Sequence, residues 1–137
     1  MEIKTLLEQR GLLIFDGAMG TQLQAKGLKT GETPELLNLT AKDLLKEIHR
    51  SYIDAGADII SANTFGANSY KLSHSGKSVD EIITAGIINC KEAIKESRKD
   101  VFCALDIGPI GQLLEPTGSL KSVSYTHLRA HETSLHL

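Results

Sequence analysis

Short apolar runs and helical-period stripes alternate along this chain. Leu12 to Phe15 is apolar without interruption and stops at Asp16 and Gly17. A second run, from Asp58 to Phe65, finishes in the polar pair Asn63 and Thr64 before Gly66. Val101 to Leu105 is a third, ending at Asp106 and turning out through Gly108 to Gly111. Runs of this length and composition, bounded by glycine, predict strands, and unbroken apolarity predicts cover on both faces. Between the first two lies a stripe of Leu44, Leu45, Ile48, Tyr52 and Ile53, ending at Gly56, with Thr40 and Asp43 approximating a capping box. Between the second and third, Ser78 and Glu81 form a clean capping box. Val79, Ile82, Ile83, Ile87, Cys90, Ala93 and Ile94 then line one helical face as far as about Lys99. Gly86 falls on that face; a mid-helix glycine costs ~1 kcal/mol relative to alanine, and close packing against a strand would justify it. Shorter helices are predicted over Ile3 to Arg10, around Leu23 and over Ser69 to His74. Lys26 to Pro34, with Gly27 and Gly31, reads as loop.

The order strand, helix, strand, helix, strand implies parallel strands joined by crossovers, hence a doubly wound sheet or a (β/α) barrel. In both, ligands bind where the strands end, so Asp16 with Gly17, then Asn63, Thr64 and Phe65, then Asp106 are expected along one rim. Gly17 and Gly20 can adopt backbone angles closed to other residues, letting the amides after Asp16 curl around an anion while the carboxylate faces a cation. An amino acid carries both charges. The same apolar-Asp-Gly pattern also describes an ordinary strand end with a turn. The glycine turn lacks both the GxGxxG pattern and the lysine of a P-loop, which removes the nucleotide reading.

Composition narrows the class. With 137 residues and 41% hydrophobic content the chain can build one modest core, and a net charge of −2 gives no basic field for nucleic acid. The first ten residues are charged and amphipathic, with no signal-peptide core and no membrane span, so the cytoplasm is the expected compartment and no membrane partner is expected. Cys90 and Cys103 have neither CxxC spacing nor a neighbouring His, and read as reduced, buried thiols rather than a metal pair or a disulfide.

Four segments in combination, Asp16 to Thr21 (DGAMGT), Pro34 to Asn38 (PELLN), Gly56 to Gly66 (GADIISANTFG) and Asp106 to Gly118 (DIGPIGQLLEPTG), resemble the homocysteine S-methyltransferase family. The likeness is greatest to the N-terminal homocysteine-binding domain of the cobalamin-dependent methionine synthases, and runs from about Leu12 to Leu120. It implies an α/β fold, a (β/α)8 TIM barrel of which residues 1–121 carry the first three strand-helix units. It also implies homocysteine at the C-terminal strand ends with its thiolate held on zinc, since zinc lowers the thiol pKa and yields a sulfur nucleophile at neutral pH. The methyl group would come from methylcobalamin, recharged by methyltetrahydrofolate, on cobalamin- and folate-binding modules of a longer protein. By the same analogy Asp16 contacts the substrate ammonium, the backbone of Gly17, Ala18 and Met19 holds its carboxylate, and Asn63, Thr64, Phe65 and Asp106 line the pocket. Betaine or S-methylmethionine as methyl donor, and a non-catalytic amino-acid-binding α/β module, are the competing readings.

The chain departs from the family in its metal ligands, which are a cysteine in an Asn-Cys setting and an adjacent Gly-Cys-Cys pair. Asn89 and Cys90 imitate the first, but inside the helical stripe. No metal ligand and no catalytic residue are therefore assigned, and the expectation is a truncated fragment that is inactive alone. A barrel of this type takes ~250 residues, so an open sheet edge and self-association are expected. Residues 122–137, with His127, His131 and His136 and no apolar stripe, read as a non-native tail rather than a His-rich metal tract.

Overall fold

The structure, a computed structural model, describes residues 2–121; the expected non-native tail, 122–137, lies outside the described residues. Helix α1 (Ile3–Arg10) has the predicted bounds and is closed by Gly11 in the left-handed region, φ 77°. Helix α2 (Met19–Ala25) follows, then a 3-10 turn (Pro34–Leu36) running into α3 (Leu37–Thr40), α4 (Lys42–Ala55), β1 (Ile59–Ser61), α5 (Val79–Ser97) and β2 (Phe102–Ala104). Strands β1 and β2 are parallel, with Ile59 opposite Phe102, Ile60 opposite Cys103 and Ser61 opposite Ala104. The segment expected as a first strand reaches the other side of β1 through a single parallel bridge, Phe15 to Ile59. There the Asp16 amide donates to the Ile59 carbonyl at 2.9 Å and the Ile59 amide to that of Ile14 at 3.1 Å. The spatial order is thus segment 12–16, β1, β2, with α5 as the crossover between the two strands.

Ile60 enters a buried cluster with Ile53, Ala62 and Cys90, against which Cys103 packs, so this side of the sheet meets α4 and α5. The predicted cover on both faces is corrected. Leu12, Ile14 and Phe15 remain 61%, 53% and 58% exposed. Phe15, Ile59, Phe102 and Ala104, which share a side by register, line an open apolar groove together with Ile3 of α1. Among the described residues the main helical layer covers one side only, so the apolar run of the first segment outlasts its cover.

Capping chemistry divides the helices. Ser78 Oγ accepts from the Glu81 amide at 3.0 Å, as predicted for α5. The Thr40 cap does not form. Thr40 ends α3 and donates its hydroxyl back to the Leu36 carbonyl at 3.3 Å, so α4 starts from Ala41 without a side-chain cap. Gly56, φ 105°, ends α4 where the sequence places its stop. The helix expected over Ser69 to His74 is a series of turns. Asn68 Oδ1 accepts the Lys71 amide at 2.9 Å, as an N-cap would, and Leu72 anchors the segment in the core beside Val79 and Ile83. Lys42, Lys46 and Arg50 on α4 face Glu92 and Glu96 on α5. Screening by solvent leaves these surface pairs a minor contribution. The apolar contacts around Leu45, Ile48, Cys90 and Ala93, all at most 1% exposed, hold the helical layer.

Candidate functional site

The C-terminal ends of the parallel segments open on a cavity of about 240 Å³. Asp16, Gly17, Ala18, Met19, Asn63, Thr64, Phe65 and Asp106, the residues singled out in the sequence, all line it, together with Phe15, Ser61 and Ala62. The chain reaches the cavity from three directions: the turn into α2, the exit of β1 and the exit of β2.

Asp16 is oriented by Ser61, whose amide donates to Oδ2 at 2.9 Å and whose hydroxyl donates to Oδ1 at 3.1 Å. Burial raises the Asp16 pKa above the usual carboxylate value; the two Ser61 donors oppose that rise and the charge of Asp106 adds to it. Burial likewise raises Asp106. Two carboxylates therefore give the cavity a negative side suited to a cation. A carboxylate has about four lone-pair positions, so after two bonds from Ser61 Asp16 retains acceptor capacity.

The turn from Gly17 into α2, directly after Asp16, carries no side-chain cap, so neighbouring side chains leave the first-turn amides uncapped. The conformational role expected of Gly17 and Gly20 is corrected, since neither is among the positive-φ glycines. Gly17 is required by space: a Cβ there would lie 2.9 Å from Tyr52 Oη, which donates to the Ala18 carbonyl at 3.1 Å. Gly20 has open space around it.

The β1 exit is held from behind. Thr64 Oγ1 donates to the Asp106 carbonyl at 2.8 Å and accepts the Asp106 amide at 3.2 Å, tying the ends of β1 and β2 together. Asn63 Nδ2 donates to the Pro34 carbonyl and to Asn38 Oδ1, each at 2.9 Å, and Asn38 Nδ2 donates to the Asn63 carbonyl at 2.8 Å. Asn63 and Thr64 thus line the cavity while their polar atoms serve the scaffold. Gly66 donates its amide to Glu35, and Asn89 of α5 donates to the Asn38 carbonyl at 3.0 Å. Gly86 makes room for this network, because a Cβ there would lie 2.8 Å from Asn38 Nδ2 and 3.1 Å from Thr64 Cγ2. Phe65 is 52% exposed at the rim, with Lys71 Nζ 5.7 Å from its ring centroid.

Sequence reasoning missed Ser61, Tyr52, Glu35 and Asn38 as parts of the site. Ser61 interrupts an apolar run at the strand end, and Glu35 and Asn38 belong to the quoted PELLN segment; those are the signals that mark them. Among the described residues no three His, Cys, Asp or Glu side chains are grouped to hold a metal ion. Cys90 and Cys103 are free thiols, the first buried and the second half-buried.

The pattern described as "Homocysteine S-methyltransferase" matches residues 13–135. The chain belongs to the homocysteine S-methyltransferase family. The matched residues include those that line the cavity and continue beyond Lys121. Methionine synthase of Mycobacterium tuberculosis (strain ATCC 25618 / H37Rv) is 45% identical over 73 residues, covering 49% of this chain and 6% of that protein. Methionine synthase of Mycobacterium leprae (strain TN) is 47% identical over 68 residues, 45% of this chain and 6% of that protein. The chain thus aligns with only a small part of these relatives. Among solved structures, the homocysteine methyltransferase MmuM from Escherichia coli in its metallated form superposes with a TM-score of 0.71 at 22% identity. That superposition covers 80% of this chain and 42% of that one. The apo form gives 0.55 at 21% identity, over 77% and 38%. These likenesses establish a shared fold over the aligned part.

Proposed function

We propose that this chain is the amino-acid-binding part of a (β/α)8 barrel that methylates homocysteine to methionine. Asp16 receives the substrate ammonium, the amides of Gly17, Ala18 and Met19 receive its carboxylate, and Asp106 and Phe65 close the pocket. The observation that carries this reading is the convergence, on one cavity, of a preoriented carboxylate, a second acid and the backbone of the Gly17 to Met19 turn. Such a cavity matches the two opposite charges of an amino acid.

In the family, zinc supplies the homocysteine thiolate, and the methyl group comes from methylcobalamin and methyltetrahydrofolate on further modules in the methionine synthase type. The described residues do not form a three-ligand group that fits zinc, so no step is assigned through it. The role proposed for this chain is binding and orientation, with no methyl transfer by the chain alone. No helix among the described residues is long and apolar enough to cross a membrane, and the cytoplasm is the proposed setting.

Titrating the isotopically labelled chain with L-homocysteine or L-methionine, read by amide NMR shifts, tests the proposal. Shifts confined to Gly17 to Met19, Ser61 and Asp106 are expected. N-acetylhomocysteine, which lacks the ammonium, is expected to bind about 10- to 100-fold more weakly, as for the loss of one charge-assisted hydrogen bond. Equal binding of the acetylated compound, or shifts remote from these residues, would overturn the assignment.

A further inference from the structure

The cavity uses neither cysteine, yet the fold packs both on one buried cluster. Cys90 lies on the buried face of α5, 0% exposed, with Sγ 3.9 Å from the Ile60 carbonyl. Ile60 is the register partner of Cys103 on β2, and Cys103 packs on the same cluster that contains Cys90. Cys103 lies on β2 and is half-buried.

The chemistry of the pair is asymmetric. A hydrogen bond between the thiols, followed by burial, raises the Cys90 pKa. The same hydrogen bond lowers that of Cys103, assisted by the Lys91 charge and opposed by burial and by Asp16. The accessible thiol is therefore the one that ionises more readily, and the sequestered thiol stands against it.

We propose that Cys90 and Cys103 are a redox-active dithiol, converted by a small-molecule disulfide such as oxidised glutathione into an intramolecular disulfide linking α5 to β2. The Cys103 thiolate attacks one sulfur of the oxidant, whose S–S bond breaks to release one glutathione thiolate and leave a mixed disulfide on Cys103. Cys90 then attacks the Cys103 sulfur, giving up its proton to the released thiolate, and expels the second glutathione. Two electrons pass from the protein pair to the oxidant, and the two thiol protons end on the two reduced glutathiones. The cross-link would clamp the middle of α5 to β2 just before the strand delivers Asp106 to the cavity. Closing this loop should also restrict the unfolded chain and raise the thermal midpoint.

The test treats the intact chain in native buffer with oxidised glutathione, blocks the remaining thiols by alkylation and maps peptides by mass spectrometry. The expected product is a monomer with a peptide cross-linked between Cys90 and Cys103. Cys90→Ser should stop at a glutathione adduct on Cys103. In Cys103→Ser, Cys90 should react at least about tenfold more slowly, because it is buried and protonated, and should become reactive in urea. An adduct forming first on Cys90, a bridge between two chains, or thiols that stay free in native buffer would each overturn the proposal.

Discussion

Ser61 donates both its amide and its hydroxyl to Asp16, at 2.9 Å and 3.1 Å, so one residue of β1 sets the orientation of the acid at the head of the neighbouring segment. Removing the hydroxyl in Ser61→Ala withdraws a donor that favours the charged carboxylate. The Asp16 pKa is therefore expected to rise further, visible in a carboxyl-carbon NMR titration, at a stability cost of ~1 kcal/mol. Asp16→Asn should weaken homocysteine binding about 10- to 100-fold by calorimetry while the chain stays folded. Because binding the ammonium calls for the ionised acid, wild-type affinity should fall as pH drops through the raised Asp16 pKa, and the Asn variant should keep only the part of that dependence that Asp106 contributes.

Two glycines near the site are expected to respond with opposite signs. A Cβ on Gly108 would lie 2.4 Å from the Phe65 carbonyl oxygen, a backbone atom that also accepts the Gly108 amide at 3.0 Å. Gly108→Ala should thus move the Phe65 loop and cost ~1–3 kcal/mol. Gly20 lies inside α2 with nothing near its Cβ position, so Gly20→Ala should stabilise by ~0.5–1 kcal/mol. Urea midpoints of the two variants check both signs.

His49 is 0% exposed, with neither ring nitrogen hydrogen-bonded, and burial lowers its pKa to about 4. Between the ordinary histidine value near 6.5 and about 4, the unfolded chain binds a proton that the native chain refuses. Stability from this group is therefore complete above pH ~6.5, declines as pH falls towards 4 and is level below, a loss of about 3 kcal/mol. The raised carboxylates Asp16 and Asp106 act in the opposite direction, gaining stability as they protonate. His49→Leu isolates the histidine contribution: its thermal midpoint should lose the acid-side decline that the wild-type chain shows.

The uncovered side of the sheet carries the remaining prediction. Phe15, 58% exposed, lines the open groove, Leu12 and Ile14 beside it in sequence are also more than half exposed, and among the described residues β2 has no strand on its far side. Concentration-dependent association is expected by sedimentation velocity, and Phe15→Lys, placing a charge on that side, should shift the chain towards monomer. A wild-type chain that stays monomeric at all concentrations would contradict this.

Local chemistry sufficed for much of what the sequence determined. The stripes predicted α4 and α5, Ser78 capped α5 and Gly56 stopped α4, because period and capping act within a few residues. Other features were settled by contacts distant in the chain. Thr40 turned back to Leu36 instead of capping α4, and Gly17 proved to make room for the Tyr52 ring rather than to adopt a special φ. The network of Glu35, Asn38, Asn63 and Asn89, the Ser61 grip on Asp16 and the meeting of Cys90 with Cys103 join elements far apart in sequence. Residue type alone leaves each of these groups with many possible partners; only the packing of α5 across parallel β1 and β2 selects one.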